Sequence, residues 1–332
     1  MGVPSGGKQS FTGVGAIDAP RNVACLGILV ADMVARPVDS LPPPGELRFV
    51  DEMGLCIGGC AANTGAGLAR LGVPVAVLGK VGDDALGEFL LRALQREGVH
   101  TQGVVVDPGV QTSATVALVA ATGERAFLHA VGGNGALRAG EVDLHAAGGA
   151  TILHIGGTGL MPSLDGAPLA EVCAQAKALG LVVTLDTAWD PSGGWRRVLQ
   201  VLPHVDYFLP SLEEAQHIFG LSDPAAIAAA ARNLGPQAVV IKLASEGCYV
   251  LAPGRREGLR LPPLPVAAVD TTGAGDAFCA GFLAALSRGW DTVSAARIGT
   301  VTGALSVTRL GAIAGVPSWE EACRVLATLP SL

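Results

Sequence analysis

Short, continuously apolar runs alternate with helix-patterned stretches along most of this chain. The runs at residues 22–30, 73–78, 151–155, 181–185, 207–209, 238–241 and 248–251 read as strands without a polar face. A strand of that kind has to be covered on both sides. Between them, residues 61–71, 84–97, 167–179, 212–219 and 224–234 carry apolar positions at helical spacing. Strand and helix in alternation predict an α/β fold: a doubly wound, mostly parallel sheet flanked by helices. With 332 residues, half of them apolar, the chain can bury one large core.

Two places break this rhythm. Residues 46–51 and 112–129 read as half-exposed strands, and the second stretch has a hairpin turn at Ala121-Thr122-Gly123-Glu124. They predict a small β-sheet lid, inserted around residues 44–53 and 103–131 of an α/β domain spanning 22–332. Residues 1–21 are rich in Gly, Ser and Pro and read as a flexible tail. Exposed edge strands need covering, so a homodimer formed lid to lid is a reasonable assembly.

Composition narrows the function classes. A net charge of −7 without a basic stripe argues against nucleic acid as a partner. No apolar run is long enough to span a bilayer, and no charged segment leads into an apolar one at the start. Those readings predict a cytoplasmic protein with no membrane partner. Seven cysteines then read as reduced thiols; Cys56 and Cys60 are close, but no second pair completes a zinc site.

The chemistry concentrates in Asp270-Thr271-Thr272-Gly273-Ala274-Gly275-Asp276. An apolar stretch precedes it, and Phe278, Phe282, Ala285 and Leu286 follow at helical spacing, with Gly289 as the stop. A glycine-rich turn thus enters a helix whose unpaired N–H groups and dipole suit an anion. Gly273, Ala274 and Gly275 form the candidate anion hole, and the glycines let backbone approach closely. Asp276 caps this helix or, beside a phosphate cradle, serves as a base in phosphoryl transfer to a hydroxyl.

Residues 270–278 resemble the C-terminal signature of the ribokinase-like (PfkB) family of carbohydrate kinases. Gly58-Gly59-Cys60-Ala61-Ala62-Asn63, followed by Leu68-Ala69-Arg70-Leu71-Gly72, resembles that family's N-terminal signature. The order and spacing match, and the resemblance runs from about Asn22 onward. It implies ATP and Mg²⁺ as cofactors, a sugar substrate, and a lid that closes over it.

By that resemblance, Asp32, Gly58, Gly59 and Asn63 match sugar-contacting positions, and Asn134 in Gly132-Gly133-Asn134 is a further substrate candidate. A carboxylate accepts from two neighbouring hydroxyls, and Asn both donates and accepts. On the nucleotide side the candidates are Ser211, Glu214, Lys242, Ser245, Gly247 and Thr272. Glu214 matches the position that orders Mg²⁺-bound water, while Ser211 stands where many members have Asn. The pair also reads as a capping box. Ala244 stands where Gly is common. Asp270 and Thr272, with residues 308–315, match a segment that holds a K⁺-like ion in several relatives; otherwise Asp270 simply shapes the loop.

No Gly-x-x-x-x-Gly-Lys-[Ser/Thr] is present, so this is not a P-loop enzyme, and no Gly-x-Gly-x-x-Gly opens the first helix, which disfavours a dinucleotide site. The leading expectation is ATP-dependent phosphorylation of a sugar or sugar-acid hydroxyl, with Asp276 as general base. A nucleoside kinase is the alternative, although aromatic residues are scarce at 4%. A non-catalytic sugar sensor is a third reading, and the intact Asp276 argues against it.

Overall fold

The structure, a computed structural model, describes residues 19–330. Most of the expected tail, 1–21, lies outside the described residues. In chain order the elements are β1 (Val23–Gly27), β2 (Val30–Arg36), β3 (Glu52–Gly58), α1 (Cys60–Arg70), β4 (Val75–Gly82) and α2 (Ala85–Arg96). Then come β5 (His100–Asp107), β6 (Ala114–Val119), β7 (Arg125–Ala130), α3 (Gly132–Ala136), β8 (Ile152–Thr158), α4 (Ala167–Ala178) and β9 (Val182–Thr187). The last third holds β10 (Tyr207–Phe208), α5 (Leu212–Phe219), α6 (Pro224–Arg232), β11 (Ala238–Lys242), β12 (Cys248–Leu251) and β13 (Leu259–Leu261). It ends in α7 (Ala274–Ser287), α8 (Thr292–Ser306) and α9 (Trp319–Leu326).

Nine strands form the main sheet, in the order β13-β12-β11-β10-β9-β8-β1-β4-β5. Its pairings are parallel except for β11–β12 and β12–β13 at one edge, where β12 alone runs against the rest. Alternate strand residues face opposite sides. Val23 and Cys25 of β1 therefore pack with Leu68, Leu90, Phe282 and Ile298 of α1, α2, α7 and α8. Ala24 and Leu26 pack with Leu169, Ile218 and Ile227 of α4, α5 and α6. The doubly wound expectation describes this arrangement.

The winding reverses between β1 and β8, and in such sheets the crevice beyond the strand ends at the reversal is where ligands bind. The backbones are close there. A side chain on Gly27 (φ 151°) would sit 1.9 Å from the carbonyl oxygen of Gly156.

A second sheet has four strands in the order β3-β2-β6-β7. It is the expected lid, but its strands fall elsewhere in part. Residues 22–30 are not one strand: the chain turns after β1, and residues 30–36 cross to the lid as β2. Residues 46–51 are not a strand; the lid strand is β3, at 52–58. Within 103–131, β5 belongs to the edge of the main sheet. The β6–β7 hairpin forms as expected, its turn closed by the Gly123 amide on the Ala120 carbonyl at 2.9 Å, with Gly123 at φ 88°.

Candidate active site

The extended segment after β13 enters α7 through Gly273, which caps the helix in the left-handed conformation at φ 72°. A Cβ there would meet that of Ala312 at 2.6 Å, so both conformation and space require glycine. The Ala277 amide is bonded inside the helix, to the Gly273 carbonyl at 2.8 Å. The Ala274 amide closes the turn on the Thr271 carbonyl at 3.3 Å, while those of Gly275 and Asp276 belong to the end where helical N–H groups point outward. Gly275 packs over Lys242, whose ammonium would lie 3.4 Å from a Cβ at that position.

Asp276 is the third residue of α7 and is buried. Its Oδ2 accepts from Nδ2 of Asn63 at 2.8 Å, and its carbonyl accepts from Thr64 at 3.4 Å. Both partners are in α1, which packs along α7. Burial pushes the Asp276 carboxyl up to about 7, with Asp186 adding to the rise and Asn63, Lys242 and Cys60 opposing it. A carboxylate titrating there is matched to proton transfer near neutral pH.

The signature glycines sit at the lid hinge. Gly59 caps α1 at φ 91°, and a side chain there would strike the Ile28 carbonyl at 2.4 Å. Gly58 lies under Asp32, whose Oδ2 would be 2.0 Å from a Cβ. Asp32 stands within β2, in the lid. Burial raises its carboxyl to about 6, tempered by a hydrogen bond from Thr115. The pairing Cys56–Asp32–Thr115–His129 forms one row across the lid. Directly paired residues share a face. The Thr115 hydroxyl lies 3.1 Å from Nδ1 of His129, which continues the polar row.

Asn63 is the link between the two halves. While Nδ2 holds Asp276, its Oδ1 is buried and has no partner among the described residues. Asn134 behaves differently. Its Oδ1 accepts from the Leu29 amide at 2.9 Å, and its Nδ2 donates to the Leu29 carbonyl at 3.0 Å. It locks the turn between β1 and β2, which corrects the expectation that it faces a substrate.

The nucleotide-side candidates gather at the carboxyl ends of β9, β10 and β11. Ser211 caps α5 and accepts from the Glu214 amide at 3.4 Å, while Glu214 Oε2 accepts from the Ser211 amide at 3.2 Å. That is the capping box. The same carboxylate accepts from the Thr187 hydroxyl at 2.7 Å, which ties α5 to the end of β9. Lys242 is bound by Asp186 at 2.6 and 2.7 Å. Burial alone would lower its pKa, but Asp186, Cys279 and Glu214 outweigh that and keep the ammonium charged. Lys242 is therefore a fixed charge beneath Gly275. Ser245 is exposed on the turn after β11. In that turn Ala244 takes φ 50°, a value suited to glycine. Gly247, at φ 88°, fits against the Leu261 carbonyl, 2.1 Å from where its Cβ would be.

The segments 270–272 and 308–315 do meet. The Gly311 amide donates to Asp270 Oδ2 at 2.9 Å, and the Thr272 amide to Oδ1 at 2.8 Å. A lid residue joins them: Arg125 donates to Asp270 Oδ1 at 2.5 Å and to the Thr272 hydroxyl. Sequence reasoning passed over Arg125, Asp186 and Thr115. Asp186 carries a signal in retrospect, because a carboxylate closing an apolar parallel strand sits where such sheets bind ligands. Arg125 carries none, since its partner is 145 residues away.

For Mg²⁺, the donor set is one carboxylate, Glu214, with no cluster of three ligating side chains among the described residues. This fits an ion held mainly by nucleotide phosphates and water, which needs only one or two protein carboxylates.

Comparison with known proteins agrees with this geometry. Residues 20–319 match the model of the pfkB family carbohydrate kinases. The chain belongs to that family and is an ATP-dependent carbohydrate kinase by class. It is 30% identical to the ribokinase of Bacillus subtilis over 302 residues, covering 91% of this chain and 98% of that one. It is 31% identical to the fructokinase of Klebsiella pneumoniae, covering 87% and 96%. Arabidopsis thaliana ribokinase, solved with ribose and ATP, superposes with a TM-score of 0.80 at 26% identity, covering 93% and 99%. A putative ribokinase II from E. coli, solved with ATP and Mg²⁺, gives 0.79 at 25%, covering 92% and 99%. No helix among the described residues is long and apolar enough to cross a membrane.

Proposed function

We propose that this enzyme transfers the γ-phosphoryl group of ATP to a hydroxyl of a sugar or sugar acid, with Asp276 as general base. The observation that carries this is Asn63, anchored to Asp276 at 2.8 Å while its own Oδ1 is buried without a partner. A sugar hydroxyl donating to that oxygen lies next to the base. Asp32 accepts from neighbouring hydroxyls on the lid side, above Gly58 and Gly59.

Asp276 takes the hydroxyl proton as the oxygen attacks phosphorus. The outward amides of Gly275 and Asp276, at the α7 terminus that Gly273 and Ala274 shape, with Lys242 beneath them, stabilise the charge on the transferring group. Glu214 would order Mg²⁺-bound water, and the ion would neutralise phosphate charge. Ser211, Ser245, Gly247 and the α5 terminus line the nucleotide side. The lid excludes water that would otherwise hydrolyse ATP.

The outer lid face presents Met33, Met53, Leu55 and Leu128, each at least 37% exposed. That supports a lid-to-lid homodimer, testable by the mass in solution.

The test is ADP release against a panel of pentoses, hexoses, sugar acids and nucleosides. Asp276→Asn should lose at least about 10²-fold in turnover with ATP binding kept. Turnover near wild type removes Asp276 from the role of base. One observation favours a nucleoside as second reading: Phe127 lies on the Asp32 side of the lid, two residues from His129, and is 58% exposed. An exposed ring there can stack on a base. Nucleosides outcompeting every plain sugar would select that reading.

A further inference from the structure

The loop that feeds the anion hole carries a positive charge delivered from the lid. Arg125 is the first residue of β7, on the same face as Phe127 and His129. Its side chain is 21% exposed and that of Asp270 is 12% exposed. The guanidinium spans Asp270 Oδ1 and the Thr272 hydroxyl, three and one residues before Gly273.

Asp270 is thereby engaged through both of its oxygens. Oδ1 takes Arg125 and the Thr272 amide, and Oδ2 takes the Gly311 amide. A carboxylate offers about four acceptor directions, so three are used. Burial would raise the Asp270 carboxyl, but the Gly311 and Thr272 amides and the Arg125 charge hold it below the usual range. A monovalent cation at this spot needs oxygen ligands from the same carboxylate and finds a guanidinium on it. The two positive charges repel, and Arg has no acceptor to offer an ion. The residues present therefore do not fit the K⁺-like ion implied by the family resemblance.

We propose that Arg125 stands in for a monovalent cation beside the phosphate loop, so that this enzyme works without added K⁺. The charge that orders residues 270–273 arrives with the lid, and it couples enclosure of the substrate to assembly of the anion hole. Arg125 is a positioning residue: it acts through Asp270 and Thr272.

The inference rests on the phosphorylation reading above, and its test has an arm that does not. Melting temperature is measured in tetramethylammonium buffer against KCl at equal ionic strength, for wild type, Arg125→Met and Arg125→Lys. Steady-state turnover follows the same titration. Wild type is expected to change by at most about twofold in turnover, with no K⁺-specific gain in melting temperature. Arg125→Met is expected to lose about tenfold or more in kcat and to recover part of it with K⁺ or guanidinium. The melting temperature of that variant should rise with K⁺, and Arg125→Lys should fall between the two.

Wild-type turnover that depends strongly on K⁺ overturns the proposal. So does an Arg125→Met enzyme that answers to neither K⁺ nor guanidinium, whether active or dead. If no hydroxyl substrate is ever phosphorylated, the phosphorylation reading fails, and the melting comparison alone still decides the role of Arg125.

Discussion

Asn63 donates to the carboxylate of Asp276 at 2.8 Å across 213 residues of sequence. One comes from the first helix and the other from the seventh, so the two signature stretches meet at one hydrogen bond. Removing the amide should hurt both partners. Asn63→Ala is expected to lower kcat/KM for the sugar by about 10²-fold. The sugar KM should rise with it, because Oδ1 is the acceptor offered to a hydroxyl. Steady-state kinetics with ATP saturating checks this, and an unchanged sugar KM rejects the contact.

Asp276 titrates at about 7 because it is buried. As a base it works ionised. The kcat/KM for the sugar should therefore rise about tenfold per pH unit below that value and level off above it. A profile flat from acid to neutral pH excludes Asp276 as the titrating base.

The same burial acts on stability. The folded-state pKa of Asp276 is raised, from 3.8 to about 7. Between those values the native state keeps a proton that the unfolded chain releases, so rising pH favours unfolding. Above about 7 the penalty stays constant, at most about 4 kcal/mol. Asp276→Asn removes it. Its melting temperature should exceed that of wild type by a margin that widens from about pH 4 to 7 and then holds. Paired melts across that range give the answer, and a margin that shrinks with pH refutes the sign.

Gly58 leaves room for Asp32. A methyl at position 58 would fall 2.0 Å from Oδ2 and 2.3 Å from Cγ, so the carboxylate has to move. Gly58→Ala should raise the sugar KM by about tenfold or more, since displacements near 1 Å are that consequential. The KM for ATP should change little. Equal effects on both substrates would mean a general disturbance of the fold.

Much of this was legible before any coordinates. Buried parallel strands are mostly apolar on both faces, so β4, β8, β9 and β11 stand out despite Lys80, His154 and Asp186. The pattern Ser211 with Glu214 announced a capping box, and the glycine turn before Phe278 announced the start of α7. The lid was harder. In β2, Val-Ala-Asp-Met-Val-Ala-Arg mixes polar and apolar positions, because Asp32, Val34 and Arg36 share one face while Met33 stands exposed on the other between the buried Ala31 and Ala35. It reads as a loop after β1. In β3 Gly54 and Gly58 blur the alternation, so residues 46–51 carry the clearer strand pattern although the strand forms at 52–58. Pairs such as Arg125 with Asp270 and Lys242 with Asp186 depend on which loops the sheet order brings together. Local pattern has no access to that.

The docking of α1 against α7 has a consequence for synthesis. During translation, the base-bearing helix leaves the ribosome only after most of the sheet has been made. Until it packs, its aspartate is wet, acidic and a poor proton acceptor. A chain that stops short of α7 already carries every strand of the main sheet but lacks the carboxylate that Asn63 binds.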